Sequence, residues 1–313
     1  MGKLENWESR KADPIGVAYA VTAFLLWGIL PLYWKALGSV GALEILMHRI
    51  LWSFVFTALI VSYRRQWKGV KKILTERKRR TAVVFGSIFV GLNWGIYIWA
   101  VNSNHVVDTS LGYYINPLLS VFLGMLVLKE RLSFWQLVSL ALAFAGVLVI
   151  TLQYGRVPWV SLLLAVSFAL YGLIKKTAQI ESATALALET ALLLPVSLGY
   201  LGYLEYQNTA SFGHSSPFVT IFLAGAGIVT ALPLLWFAQG TQRIPLSMVG
   251  FIQYLTPTMM LIIGVVLYGE PFTRMHLLGF ACIWLALVVF SLSQLRRMDR
   301  YRPKRFQKEL PPR

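Results

Sequence analysis

Charged residues and cysteine are scarce in this 313-residue sequence. Only 13% of the residues are charged and 57% are hydrophobic, whereas about a quarter of the residues in a soluble domain are charged. A soluble protein of this size could not bury so much apolar surface. The single cysteine, Cys282, excludes a disulfide framework or a cysteine-based metal site. The composition therefore indicates an all-α integral membrane protein.

Motifs for nucleotide binding or catalysis are also lacking. The glycines of 224–227 (AGAG) lie in an apolar segment, without the strand and lysine of a phosphate-binding loop, and indicate helix packing. His105 and Asp108 are neighbours, but two residues do not make a metal site. We therefore expect no cofactor and no ATP-driven step. An intramembrane enzyme, which would need inward-facing nucleophiles or paired carboxylates, is kept as an alternative.

Apolar segments that could cross a ~30 Å hydrocarbon core fill most of the chain. We predict ten transmembrane helices, at 15–36, 42–62, 81–101, 107–128, 133–153, 158–176, 183–204, 217–238, 246–268 and 273–294. The longest polar stretches are 63–80, 205–216 and a basic tail over 295–313. None of them could form a soluble output domain, which disfavours the other alternative, a membrane scaffold or sensor.

Basic residues are confined to alternate gaps between these segments. All but four of the 29 Lys and Arg residues lie in the N-terminal segment 1–14, in or at the edge of the even-numbered gaps, or in the tail; the exceptions are Lys35, Arg49, Arg156 and Arg274. A shared nucleic-acid-binding face is therefore not expected, despite a net charge of +16. The positive-inside rule predicts that both termini are cytoplasmic.

The chain contains a tandem duplication. The stretch 112–137 recurs at 252–277, an offset of 140 residues, with Tyr114 matching Tyr254, Pro117 matching Pro257 and Glu130 matching Glu270. Tyr, Pro and Glu agreeing at one offset are informative even in an apolar chain. We predict two repeats, 15–153 and 158–294.

The two repeats are predicted to have opposite orientations in the membrane. Five helices per repeat is an odd number, so the second copy enters from the other side. Glu130 lies between two basic residues whereas Glu270 does not, as expected if the first loop is cytoplasmic and the second external. Inverted repeats around a central cavity, with the substrate near the midplane, are typical of secondary transporters.

At this point the motifs resemble a known family. Two repeats with an N/T-P-x(12)-E pattern are similar to the EamA repeats of the drug/metabolite transporter superfamily. The runs WGxxPxYWK (27–35), EILMHR (44–49), NWxxYxW (93–99) and SLGYYINP (110–117) resemble, more narrowly, the RarD proteins. This group is associated with chloramphenicol sensitivity or resistance. The resemblance implies a ten-helix permease of the bacterial inner membrane.

Arg49 is the most informative polar residue at membrane depth. It lies seven residues into its segment, about 10 Å from the outer end. A cation at that depth costs ~2.5–3.5 kcal/mol and faces a cavity or a partner. Either it pairs with Glu44 or a helix-end carbonyl, or it meets an anionic group of a substrate. The adjacent His48 is expected at the interface, and is the one histidine positioned to carry a proton.

The first segment ends in further candidates for the substrate site. Trp27 and Tyr33 flank Pro31, which removes a backbone hydrogen bond and is expected to kink the helix. Broken helices expose backbone to substrates in transporters. Tyr33 could also be an interfacial anchor, and Lys35 could extend to the headgroups instead of facing the cavity.

Other candidates for substrate binding are aromatic or amide side chains inside the predicted helices. They are Asn93, Trp94, Tyr97, Tyr114, Asn116, Tyr171, Gln239 and Tyr254. Such side chains also bond neighbouring helices, which is the alternative for each of them. An aromatic, amide-lined cavity would suit small amphipathic or amino-acid-like solutes. The expected partners are the lipid bilayer and a small molecule, and a homodimer is left open.

Overall fold

The structure is a computed structural model that describes residues 13–102, 106–152, 158–268 and 274–300. Its helices, numbered in chain order, are α1 (Pro14–Ala36), α2 (Ala42–Tyr63), α3 (Trp67–Thr75), α4 (Arg77–Asn102), α5 (Val106–Leu126), α6 (Phe134–Leu152), α7 (Trp159–Ala178), α8 (Ser182–Tyr206), α9 (Pro217–Arg243), α10 (Leu246–Gln253), α11 (Leu255–Tyr268) and α12 (Arg274–Arg300). His105, Arg156, Glu270, most of the N-terminal segment and most of the basic tail lie outside the described residues, as does the side chain of Asp108.

Eight helical segments among the described residues are long and apolar enough to cross a membrane. They are α1, α2, α6, α7, α8, α9, the α10–α11 pair (Leu246–Leu267) and α12. Helix α4 begins with the four basic residues 77–80, and α5 has a shorter apolar stretch, Leu111–Leu126. The all-helical, multi-pass architecture is confirmed for eight segments, and the number ten stays a prediction.

The outer surface of the bundle is apolar. Phe134 (70% exposed), Ile221 (67%) and Val266 (74%) are large apolar residues that face outward on three different helices. Apolar patches of this extent are rare on soluble monomers and mark a surface that contacts another apolar medium. The bundle therefore presents to its surroundings the kind of surface that lipid chains cover.

Polar residues fix the beginnings of several helices. Asp13 accepts a hydrogen bond from the Ile15 backbone N (3.0 Å) at the start of α1, where Pro14 occupies the first position. The Glu130 carboxylate, in the α5–α6 loop, accepts from the backbone N of Leu246 (2.7 Å) and of Ser247 (2.9 Å). A carboxylate at a helix N-terminus satisfies free N–H groups and complements the helix dipole. Glu130 of the first half thereby anchors α10 of the second.

The two halves of the chain exchange equivalent contacts. The long helices of the first half are α1, α2, α4, α5 and α6, and their counterparts in the second half are α7, α8, α9, the α10–α11 pair and α12. Helix α1 packs against α9 and α11 of the second half, and α7 packs against α4 and α5 of the first. The second helices, α2 and α8, pack on each other, as do the last helices, α6 and α12. The contacts between the two halves are therefore reciprocal.

The fourth helices of the two halves differ. Helix α5 continues through Pro117, whereas its counterpart is interrupted at Tyr254, between α10 and α11. Pro257 lacks the N–H that would bond the carbonyl four residues earlier, which weakens the helix at this point. Gly250 of α10 also lies so close to α5 that an added Cβ would be 2.6 Å from the Pro117 carbonyl oxygen. Of the two matching prolines, only Pro257 therefore lies next to a break in its helix.

A candidate substrate cavity with one intramembrane cation

A cavity of about 340 Å³ lies between the two halves. It is bordered by the C-terminal half of α1, the N-terminal half of α2, and parts of α4, α5, α7, α9, α10 and α11. Its volume is in the range of small-molecule sites. We call the end of the bundle on this side the cavity end.

The walls of the cavity are largely aromatic. The aromatic lining residues are Phe24, Trp27, Trp34, Trp94, Tyr97, Tyr113 and Phe168. Trp27 packs edge-on against Phe168, with ring centroids 5.5 Å apart, and both contact Phe237 beneath them. Edge-to-face and tilted ring pairs are favourable arrangements, so these rings form a packed floor under the open space.

Arg49 projects into this aromatic cavity. Its guanidinium carbon lies 4.8 Å from the ring centroid of Trp34 and 5.3 Å from that of Trp94. Its Nε donates a hydrogen bond to Thr230 Oγ1 (3.0 Å). Cation–π contacts of this kind strengthen when water is excluded. The charge is thus held in place by two indole faces and one hydroxyl group.

The suggested partner of Arg49, Glu44, is engaged elsewhere. Its carboxylate accepts from the backbone N (2.6 Å) and Oγ (2.9 Å) of Ser211, in the α8–α9 loop. Among the described residues, no carboxylate lies within ion-pair distance of Arg49. His48 is buried and stacks on Phe212, with ring centroids 4.9 Å apart, instead of lining the cavity. The cation therefore keeps its capacity for an anionic ligand.

Amide side chains in the cavity also connect its walls. Asn116 Nδ2 donates to the Ala165 carbonyl (3.2 Å), while its Oδ1 accepts from Gln253 Nε2 (2.8 Å). Asn93 Nδ2 donates to the Leu164 carbonyl (2.9 Å) and to Ser167 Oγ (3.0 Å). The two amides thus bond neighbouring helices, which was the alternative to substrate binding, and they also border the cavity.

The structure brings half of the predicted site residues together. Those that line the cavity are Trp27, Arg49, Asn93, Trp94, Tyr97 and Asn116. Near the cavity end, Tyr33 donates to the Phe222 carbonyl and stacks on the Phe222 ring, and Lys35 is exposed in the last turn of α1. Tyr33 is therefore a helix-packing residue, and neither side chain borders the open space.

Four further candidates lie behind the cavity wall. Tyr114 packs edge-on against Phe280 of α12, and Tyr254 is fully buried at the α10–α11 break. Tyr171 lies under the aromatic floor, and Gln239 is half-buried near the C-terminal end of α9. We leave these four residues out of the site proposed below.

Several lining residues were missed although their spacing could have identified them. Tyr113 lies three residues before Asn116 and therefore on the same helical face, whereas Tyr114 points away from it. Gln253 and Thr256 show the same spacing on the matching segment. Choosing residues three or four positions from Asn116, on the same helical face, would have selected Tyr113 in place of Tyr114.

The opposite end of the bundle, which we call the closed end, contains a buried ion pair. Lys175 Nζ donates to both carboxylate oxygens of Glu189, at 2.6 and 2.8 Å, and both side chains are almost fully buried. The Tyr171 hydroxyl donates to Glu189 Oε2 (3.2 Å). Lys175 lies inside α7 and faces α8.

An aromatic cavity that holds a cation, inside a bundle with an apolar outer surface, is an arrangement that suits a membrane transporter. Comparison with known proteins is in agreement. The EamA-like transporter family matches residues 14–152 and 157–292. The chain belongs to this family, which confirms the resemblance seen in its motifs.

Named relatives extend the comparison. The chain is 46% identical to the uncharacterized transporter YojE of Bacillus subtilis, over 94% of this chain and 97% of that protein. It is 40% identical to the protein RarD of Escherichia coli, over 90% and 95% of the two chains. A protein of known crystal structure, 18% identical, superposes with a TM-score of 0.67 over 89% of this chain and 98% of the other. That last similarity supports the fold alone.

Proposed function

We propose that this membrane transporter is a secondary efflux permease for small amphipathic metabolites or drugs, of amino-acid-like or chloramphenicol-like chemistry. One observation carries the proposal: Arg49 faces an aromatic cavity of about 340 Å³ and has no carboxylate partner among the described residues. An intramembrane cation without an acid is expensive. A ligand that supplies the negative charge would offset that expense.

The cavity suits an aromatic or apolar body with one acidic group. Within the described structure, Nε is the guanidinium donor that is engaged, so the terminal nitrogens are available for a bidentate bond to a carboxylate. Trp34, Trp94 and Tyr97 would stack against the body of the ligand. A neutral solute would use the same walls without the charge-assisted bond.

Alternating access by two inverted five-helix repeats is the proposed mechanism. The reciprocal packing of α1, α2, α7 and α8 between the halves supports a two-fold relation. Helix α4, with 26 residues, would be about 39 Å long at 1.5 Å per residue, and α5, with 21 residues, about 31 Å, enough for each to span the membrane. Ten crossings would follow, and an odd number in each repeat inverts the second.

The distribution of basic residues supports the orientation. The short amphipathic helix α3 joins α2 to α4 at the closed end. Arg64 and Arg65 precede it, and Lys71 and Lys72 lie within it. The positive-inside rule puts this end in the cytoplasm, together with both termini. In the bacterial inner membrane the cavity would then lie toward the outer face, and the structure would represent an outward-facing state.

Paired ligands test the role of Arg49. Purified protein in detergent is screened by thermal shift with phenylacetate, phenylacetamide, aromatic amino acids and chloramphenicol, and ligands that bind are tested for flux in proteoliposomes. Arg49→Gln should weaken binding of the acid about tenfold or more, since a charge-assisted bond is worth ~1.5–3 kcal/mol. Binding of the amide should change much less.

Arg243→Gln is the matched control. Arg243 lies at the end of α9, half-exposed and 3.6 Å from Asp13, away from the cavity lining. Its removal should leave both affinities unchanged. Equal losses for acid and amide in Arg49→Gln would make Arg49 a structural residue, and absence of flux for every ligand bound would contradict transport.

A further inference from the structure

The duplication relates Arg49 to an acidic residue. Adding the offset of 140 residues to position 49 gives Glu189, and α2 and α8 begin at matching positions, Ala42 and Ser182. At the same offset, Lys175, which contacts Glu189, corresponds to Lys35, and the residue before Lys35, Trp34, contacts Arg49. Matching segments of α1 and α7 therefore place an indole against Arg49 and an ammonium group against Glu189.

The carboxylate of Glu189 is enclosed. It is 1% exposed, and Lys175 is 3% exposed. The ionisable groups that face it among the described residues are Lys175 and Tyr171, both from α7. Helix α4 contributes Gly86, where an added Cβ would be 2.5 Å from Glu189 Oε1, and Ser87, whose hydroxyl donates to the Glu189 carbonyl (3.0 Å).

The other elements around Glu189 present no further charge. Helix α9 contributes Gln242, which borders the same small cavity, while α2 and α3 contact α8 without an ionisable group facing the carboxylate in the described structure. The charge of Glu189 is therefore balanced by Lys175 alone. Adding a proton to the carboxylate would leave that lysine as an unbalanced buried cation.

The ion pair is connected to the substrate cavity and to a water-sized space. Tyr171 stacks on Phe237 (centroids 6.2 Å apart, 11° between planes) and contacts Phe168, which lines the cavity. On the other side, Lys175 and Glu189 border a cavity of about 10 Å³, close to the volume that one water needs. The pair thus lies between the aromatic floor and a small space, bordered by apolar residues and by Gln242, through which a proton could reach it.

We propose that Glu189 is a proton-binding site that couples proton movement to opening of the closed end. With Glu189 ionised and paired to Lys175, the closed end is sealed. A proton taken from water adds to a carboxylate oxygen and leaves a neutral acid beside charged Lys175. The unpaired ammonium group then favours hydration, and the closed end opens. In the opened state, Lys175 plays at the closed end the role that Arg49 has at the cavity end: it is a cation that an anionic solute can bind. This mechanism rests on the alternating access proposed above.

Accessibility of one engineered thiol tests the proposal without any substrate. Ala185 borders the small cavity and is 3% exposed. In full-length protein with Cys282→Ser, Ala185→Cys reports opening of the closed end through its rate of reaction with N-ethylmaleimide. Glu189→Gln, which imitates the protonated acid, is compared with its parent at each pH from about 5 to 8. Position 185 lies one helical turn from Glu189, so the thiol pKa is expected to differ between the two proteins. The thiolate fraction of each protein is therefore titrated separately, and each rate is expressed per thiolate.

Near neutral pH the Glu189→Gln protein should react about tenfold faster than the parent, since a minor state of up to ~10% would become the major one. The ratio should fall to one in acid, where the parent is itself protonated. A ratio of one at every pH would overturn the proposal, because neutralising Glu189 would then not open this end. A high ratio that persists in acid would overturn it too, because the parent would not bind the proton.

Two further variants secure the result. Glu205→Gln removes an exposed carboxylate at the other end of α8 and should behave as the parent at every pH. Glu189→Leu with Lys175→Met removes both charges, so it should fold even if Glu189→Gln does not, and its labelling rate per thiolate should lose the pH dependence of the parent. Retention of that dependence by the double variant would overturn the proposal. Failure to find a transported solute would contradict the proposed function but would leave this labelling result unchanged.

Discussion

The cavity end and the closed end treat an intramembrane cation in opposite ways. At the cavity end, Arg49 is held by two indole rings and the Thr230 hydroxyl, and no acid compensates it in the described structure. At the closed end, Lys175 is bonded to both oxygens of Glu189. The difference shows that the two halves of one chain can hold a buried cation either against aromatic faces and a hydroxyl group or against a carboxylate.

The same contrast extends to backbone packing. At the closed end and toward the middle of the bundle, Gly250 lets α10 approach the Pro117 carbonyl, and Glu130 binds the N-terminus of α10. At the cavity end, Gly95 of α4 has no atom within 4 Å of an added Cβ among the described residues. The contact between α5 and α10 is therefore tightly packed, whereas Gly95 is exposed and lies outside the cavity lining.

Breaking the ion pair should have the largest effect on stability. Glu189→Leu leaves Lys175 charged and buried without a partner, which typically costs 3–5 kcal/mol, about the whole margin of many domains. Lys175→Met should be similarly damaging. The double variant should regain most of the stability, because apolar pairs often replace buried ion pairs without loss. Thermal and denaturant unfolding in detergent would measure this, and additive losses would show that the two charges do not interact.

Filling the close helix contact should have an intermediate effect. Gly250→Ala places a Cβ against the Pro117 backbone, which cannot move as a flexible side chain would, so we expect a loss of ~1–3 kcal/mol. Gly95→Ala is the matched change at the cavity end and should be neutral or slightly stabilising, since alanine favours helix. Equal destabilisation of both variants would mean that the contact between α5 and α10 is not specific.

Removing the cavity cation should have the smallest effect on stability. Arg49→Met loses one hydrogen bond, worth ~0.6 kcal/mol on average inside membrane proteins, and the contacts with Trp34 and Trp94. It also removes an uncompensated charge, so the net change in unfolding free energy should be below ~1 kcal/mol. The same unfolding assay applies. A loss as large as that of Lys175→Met would assign Arg49 a structural role and remove the contrast between the two ends.

The sequence predicted more of the fold than of the site. The tandem duplication, the apolar segments and the family motifs could all be recognised in the sequence, because each depends on local composition or on a fixed offset. Trp27, Asn93, Trp94 and Tyr97 were correctly expected to lie inside the bundle, but so were tyrosines such as Tyr171, which the cavity does not reach. Chemistry alone could not separate residues that face the cavity from those one layer behind it.

The relation between Arg49 and Glu189 was present in the sequence but was not recognised. A search for identical residues at the offset of 140 finds Tyr, Pro and Glu pairs and passes over a pair with opposite charges. Its meaning depends on the neighbours: Trp34 beside Arg49, and Lys175 beside Glu189. Those neighbours come from different helices, so only their packing gives the pair a chemical interpretation.

By itself, the sequence determined the class of protein, its duplication and its family, because hydropathy, charge placement and repeated motifs act over short stretches of chain. Only the tertiary structure decided which cation meets a cavity and which meets an acid. Glu44 is five residues from Arg49 in the chain, yet its carboxylate bonds Ser211 of the distant α8–α9 loop. Lys175 of α7, by contrast, forms an ion pair with Glu189 of α8. Inside a membrane, the energy of a charge depends on what the neighbouring helices place within a few ångströms of it, and separation along the chain does not specify those neighbours.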